Sequence, residues 1–407
     1  MITPPLWPRR IDTPSAIPSL VWRSPFRPFF LLGALYGPLL TLSWITLYTG
    51  LLPVSWQSGN GLPALYHQHE IVFGFSTAII FGFILTALPS WAGTEEIRGS
   101  RLALLVLFWA AGRLSVALSS LLPLSFVTVV DLSFPLLFVL MVGPGLRNVR
   151  FEINLGLALI TAGFFAGNLC YYLGIVEQEQ QLWLQGLRIG LYAIIFHCSV
   201  TVGILAPIFT ENALQENGRP ASIGHSHALE WLSATSILAL AAVDIAGATP
   251  AVRGSLALVC CLLHGVRLYR WHSLSITNTA IVWVLHLGYA WLCIAIFLCA
   301  LEGFGVPVGT ESWVHAFTVG GFGLMSLGLM TRVTLRHTGR ELRAPPAMVF
   351  AFVCLAAAAL VRVVIPLTSM RHELLLLSAL LWVTPYFIYL ALYGRILLTP
   401  SLPVITV

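Results

Sequence analysis

An all-α, polytopic transmembrane helical bundle of about twelve spans is what this sequence predicts. Three observations carry the prediction: the composition, the length of the apolar runs and the alternation of arginine between loops. Of 407 residues 58% are hydrophobic and 9% charged, with a mean hydropathy of +0.88, whereas about a quarter of an ordinary soluble domain is charged. A bilayer is the natural solvent for such a chain. With about 20 apolar residues per crossing, the length accommodates about twelve spans and leaves no room for a sizeable soluble domain. The chemistry must therefore sit between helices.

Reading apolar runs bounded by Gly, Pro and charge places the spans at 28–50, 65–91, 102–121, 125–143, 151–173, 184–210, 226–247, 251–269, 278–301, 311–334, 346–366 and 373–398. Residues 1–27 form an arm that does not resemble a cleaved signal peptide, and 399–407 a short tail, around a single membrane domain. Basic residues recur in the arm (Arg9, Arg10, Arg23, Arg27) and in every second loop after it. Those loops carry Arg98 and Arg101, Arg147 and Arg150, Arg219, Arg267 and Arg270, then Arg332, Arg336, Arg340 and Arg343, with Arg395 near the tail. The alternate loops hold only Arg253 and Arg371 near their edges. By the positive-inside rule both termini face the cytoplasm.

All 21 basic residues are arginine, the net charge is +5, and no contiguous basic run exists, which excludes a nucleic-acid patch. The seven cysteines (Cys170, Cys198, Cys260, Cys261, Cys293, Cys299, Cys354) fall in apolar segments without a CxxC pair. They read as small buried hydrophobes rather than disulfides or a zinc site.

Ionisable groups inside hydrocarbon are costly unless paired, so each is a functional candidate. His67, His69 and Glu70 fall in the outer turns of span two, and His315 at similar depth in span ten. Arg113 in span three and Asp131 in span four, about 10 Å deep at 1.5 Å per residue, are expected to pair, as a structural ion pair in the first instance. Asn168 in span five and Arg188 in span six fall in the same outer half. A second set, His197, His264 and His286, counts to the bilayer midplane. Imidazole suits iron or copper, because one nitrogen can ligate while the other is held by a hydrogen bond. Against that stands the commoner role of a membrane histidine, a hydrogen bond to a neighbouring helix.

His67 and His69, about 200° apart on a regular helix, cannot face one metal unless the first turn unwinds. Either one ligates while the other orients, or each meets a different centre. Glu70, one turn from His67, is expected to accept a hydrogen bond from it. Gly74 and Gly82 share a helix face that permits close approach of a helix or a flat macrocycle, helix packing being the commoner use. His225, His227, His272, His337 and His372 lie near water, and Met325 and Met330 read as packing.

The blocks FRPFF (Phe26 to Phe30), HQHEIVFGF (His67 to Phe75), GFILTALPSWAG (Gly82 to Gly93), WVLHLGYAWL (Trp283 to Leu292) and HAFTVGGFGLMSLGLMTRVTLRHTGR (His315 to Arg340) resemble those of the NnrS family. Shorter matches around Arg113, Asp131 and His264 occur in the same order, so the resemblance covers most of the chain. It implies a multi-pass protein of the bacterial inner membrane that binds haem and copper and acts in nitric oxide metabolism or resistance to nitrosative stress, often beside denitrification. The matched positions are His67, His69, Glu70, Arg113, Asp131, His264, His286, His315, Arg332, His337 and Arg340. Span six departs from the pattern, with Ile204 where an arginine is expected and His197 outside the shared motif.

On that resemblance, the expected site is a haem in the outer half, held by axial histidines from spans two and ten (His67, His69, His315). Arg113 or Arg188 would meet its propionates, with Glu70 and Asp131 behind the ligands. The metal candidates are His67, His69, His197, His264, His286 and His315, and the partners nitric oxide or a related small nitrogen oxide, membrane lipid and an unspecified electron donor. An enzymatic version is nitric oxide reduction, resembling haem–copper oxidases with histidines on their second and tenth spans, although their paired adjacent histidines and HPxVY-type stretch are lacking here. The alternative from another class is a secondary transporter of a small solute or ion, built from halves at 1–210 and 211–407.

Overall fold

The computed structural model describes residues 20–50, 63–146, 149–219, 223–224 and 226–403. Among these, twelve helices are long and apolar enough to cross a membrane, and there is no strand. They are α1 Phe26–Tyr48, α2 Tyr66–Ala92, α3 Gly99–Ala117, α4 Leu124–Leu146, α5 Phe151–Val176, α6 Gln180–Glu216, α7 His227–Ile245, α8 Pro250–Tyr269, α9 Ala280–Gly303, α10 Glu311–His337, α11 Pro346–Leu367 and α12 Arg371–Leu398. Each coincides with one of the expected spans. The largest difference is α6, which continues past residue 210 as far as Glu216.

Local chemistry sets the ends. Pro250 and Pro346 open α8 and α11, where a missing N–H costs nothing. The Ser226 hydroxyl accepts from Leu229 N at the start of α7. Gly93, at φ 64°, closes α2 in the left-handed conformation that a side chain would oppose.

Consecutive spans pack against one another, and α12 returns to α1, so the helices form a closed circuit. Three of them leave the circumference. α2, α6 and α10 touch one another at the centre, with 89, 78 and 78% of their apolar windows enclosed, against 28–50% for every other span but α9 at 61%. Every fourth span is thus central, a rhythm different from the two six-span halves a transporter reading expects. An even number of spans also brings the two ends of the bundle to one face, here called the terminus side. There the Arg27 guanidinium donates to Leu397 O at 2.8 Å and Thr399 O at 2.7 Å.

Two central helices are interrupted. α2 is π-helical over Glu70–Phe75 and α10 over Ala316–Phe322, in each case immediately after a histidine, His69 or His315. A π turn inserts a residue into the helical repeat and rotates the next turns of the helix, a distortion frequent at functional sites. In α2 the Ser76 hydroxyl donates to Ile71 O inside the widened turn. All seven cysteines are free thiols.

Candidate functional site

On the side opposite the termini, the far side, polar residues do not form the single layer the sequence suggests. They divide into three clusters. The first is buried between α1 and α5. Arg113 donates from Nη1 to Glu70 Oε1 at 2.8 Å and from Nη2 to Asp131, so the expected Arg113–Asp131 pair is present with a second carboxylate attached. Asp131 also accepts from Asn168 Nδ2 and Tyr172 OH, both at 2.9 Å, and Glu70 accepts from Tyr36 OH. Glu70, Arg113, Asp131 and Asn168 are all under one-tenth exposed.

His69 sits inside this network. Its Nδ1 lies 2.8 Å from Glu70 Oε1, and its Nε2 lies 2.9 Å from Asn168 Oδ1 and 3.4 Å from Asp131 Oδ2. The amide orientation of Asn168 is fixed by its donation to Asp131, so both ring nitrogens face oxygen acceptors and both act as donors. No lone pair is left for a metal, and His69 leaves the ligand set for that reason. Glu70 is likewise corrected: it serves His69, Arg113 and Tyr36 rather than His67. Gly74 makes room for the arrangement, since a Cβ there would stand 2.6 Å from Arg113 Nη1 and 2.8 Å from Glu70 Oε2. Gly82 packs on Phe29, so these glycines admit an arginine and a helix rather than a macrocycle.

The second cluster joins α6 to α9. Arg253 reaches Asp244 Oδ1 at 3.3 Å and Glu302 Oε2 at 3.2 Å, Tyr192 donates to Asp244 Oδ2 at 3.1 Å, and Arg188 lies 3.8 Å from Asp244. Arg188 therefore leans toward Asp244 of α7. Arg113 is fully engaged by two carboxylates, while Arg188, 38% exposed, makes only the long contact to Asp244 among the described residues.

The third cluster gathers His67 from α2, His315 from α10 and Arg362 from α11, close enough to interact electrostatically. Both imidazoles are half-buried. His67 stacks on Trp44 with ring centroids 4.4 Å apart, and among the described residues its buried Nδ1 has no hydrogen-bond partner. His315 donates from Nδ1 to Glu311 O at 2.6 Å and accepts at Nε2 from Arg362 Nη2 at 3.1 Å, so that guanidinium holds the lone pair a metal would use. The sequence reading did not single out Arg362, although it is the one charged residue between Pro346 and Leu367.

The deeper histidines do not converge. His264 lies near the Tyr269 end of α8 and His286 near the Ala280 start of α9, which places both toward the terminus side rather than the midplane. His264 takes a hydrogen bond from Ser199 at 2.9 Å and donates to Cys260 O at 2.9 Å, while His286 meets Thr210 at 2.9 Å and Ser273 at 2.8 Å. Each has the ordinary satisfaction of a buried imidazole. His197 alone stays at mid-helix in α6, 5% exposed. His272, His337 and His372 are exposed, and His225 lies outside the described residues.

Among the described residues no three His, Cys, Asp or Glu side chains are grouped to hold a metal ion. Any haem or copper centre must therefore use fewer protein donors or include thioethers. His67 and His315 fit a haem on two grounds. One has an orphaned nitrogen, and the other has its tautomer fixed by a carbonyl, the usual device behind a ligating imidazole. Arg362 supplies a guanidinium at His315 itself.

Fold and clusters together define a twelve-helix integral membrane protein with three interior helices and buried polar networks between its spans. The chain belongs to the NnrS family, whose description, NnrS protein, matches residues 20–401. A comparison with curated proteins gives no match.

Proposed function

We propose that this protein is a haem- and copper-binding protein of the bacterial inner membrane, both termini cytoplasmic, that binds or reduces nitric oxide or a related small nitrogen oxide. One observation carries the reading: His67, whose Nδ1 has no partner among the described residues, and His315, whose proton is fixed on Nδ1 and whose Nε2 accepts from Arg362, meet directly before the π-helical break of α10. His67 and His315 would hold the haem, whose reduced iron binds nitric oxide. Trp44 holds the His67 ring by stacking, and Glu311 O holds the His315 tautomer. Arg362 would release His315 Nε2 to the iron and turn to a propionate, because its fork matches two carboxylate oxygens. Histidines on the second and tenth spans resemble the haem–copper oxidase arrangement, and here those two spans lie at the centre of the bundle.

Absorption spectra of purified variants test the assignment. His67→Ala and His315→Ala should abolish or shift the Soret band, whereas His69→Ala should lower stability and leave the band in place. An unchanged Soret band in both of the first two overturns it. Nitric oxide consumption by the reconstituted protein under anoxic, reducing conditions separates an enzyme from a protein that only binds the gas.

The buried Glu70–Arg113–Asp131–His69 network favours a second reading, secondary transport, since intramembrane ion networks also mark ion pathways. Substrate-dependent flux in proteoliposomes that show no haem absorbance would establish transport instead.

A further inference from the structure

Where α1, α2, α6 and α10 meet at mid-bilayer they enclose a small cavity of about 20 Å³, enough for one water-sized occupant. Most of its wall is apolar, but its lining includes His197 and Cys198 from α6 and Met325 and Met330 from α10. His197 is 5% exposed, its Nδ1 is 3.3 Å from the Thr201 hydroxyl, and among the described residues no hydrogen bond reaches its Nε2. Leaving a buried imidazole nitrogen unpaired is costly. An occupant that accepts its lone pair removes that cost.

The donors around the cavity choose the occupant. One imidazole, two thioethers and one thiol form a soft set that suits Cu(I) and disfavours Mg²⁺, Ca²⁺ or Mn²⁺, which take oxygen ligands. Charge points the same way. A cation in a low-dielectric interior is expensive unless neutralised nearby, and no carboxylate lines the cavity. If the Cys198 thiol releases its proton as the ion arrives, a monovalent ion leaves the cavity as neutral as before, whereas a divalent one leaves a buried positive charge. The cavity also has room for one ion and little else.

We infer that the midplane cavity between α6 and α10 is a Cu(I) site, with His197 Nε2 and the Met325 and Met330 thioethers as donors and Cys198 as the neutralising thiolate. No electron is exchanged on binding, and one proton leaves for each Cu(I) that enters. The inference specifies where the copper of the proposed function resides. It is read on copper content rather than on the Soret band, so it and the haem assignment can fail separately.

The experiment loads the full-length purified protein with Cu(I) buffered by bathocuproine disulfonate, removes loose metal by gel filtration, and measures copper per chain with X-ray absorption of the retained metal. Wild-type protein should keep about one copper with nitrogen and sulfur neighbours, the coordination expected of a soft donor set. His197→Ala and the double variant Met325→Leu with Met330→Leu should fall to background. Met and Leu are near in volume, so the double variant keeps the core packed, and an unaltered elution profile shows that it is folded. Wild-type protein that retains no copper, or a folded double variant that retains as much as wild type, overturns the inference.

Discussion

Replacing Arg113 with glutamine should destabilise the protein by about 3–5 kcal/mol, the cost of removing one partner from a buried ion pair. The guanidinium is the bridge between Glu70 and Asp131, two carboxylates from different helices that both lie out of water. Without it, His69 is the one cation left to two anions, and the excess charge has no solvent to relax into. Lysine at the same position should recover part of the loss, since it restores the charge but cannot span two carboxylates with a planar fork. The comparison residue is Arg98, whose contact with Glu96 is made by a side chain 65% exposed, so Arg98→Gln should cost less than about 1 kcal/mol. Thermal unfolding of detergent-solubilised variants measures the difference. A melting temperature for Arg113→Gln equal to that of Arg98→Gln would sink the claim that this network holds α2 to α5 together.

The span pattern was legible because it depends on sums over about 20 residues, and no single side chain can disturb such a sum. The Arg113–Asp131 pair was legible for a related reason: two charges at matched depth in adjacent antiparallel helices have few partners other than each other. What failed was azimuth. Depth counting puts Arg188 beside Arg113, but it says nothing about which way each helix faces, and Arg188 turns to Asp244. The same holds at closer range: i,i+3 spacing lets Glu70 reach His67, but Glu70 turns to Arg113, Tyr36 and His69 instead. Arg362 was passed over although it stands in an apolar run, because it lies near the end of α11, where an arginine reads as an anchor that reaches out to the interface. The expected midplane depth of His264 and His286 also gave way, since α8 and α9 keep nearly the expected bounds and these leave each histidine within about two turns of the terminus-side end.

Gly203→Ala should be comparably damaging, through a residue on another helix. A Cβ at Gly203 would fall 1.7 Å from Arg267 Nη2 and 2.0 Å from its Cζ, inside the guanidinium itself. Such overlap is harmless when the neighbour is a long side chain free to swing aside. Arg267 is not free. It is 2% exposed, pairs with Glu230 through Nη2, donates from Nε to Glu230 Oε1 at 3.1 Å, and donates from Nη1 to Ser199 O at 2.7 Å and Tyr289 OH at 3.0 Å. Moving it breaks contacts to α6, α7 and α9 together, and the same Ser199 holds His264. The expected loss is about 3–5 kcal/mol, again the cost of stranding a buried charge. A double-mutant cycle separates this cause from simple overpacking. Arg267→Met removes the guanidinium and leaves Glu230, which is 20% exposed, with access to water. Adding Gly203→Ala to Arg267→Met should therefore cost much less than Gly203→Ala alone. Strictly additive melting shifts would mean that the glycine is needed for some contact other than Arg267.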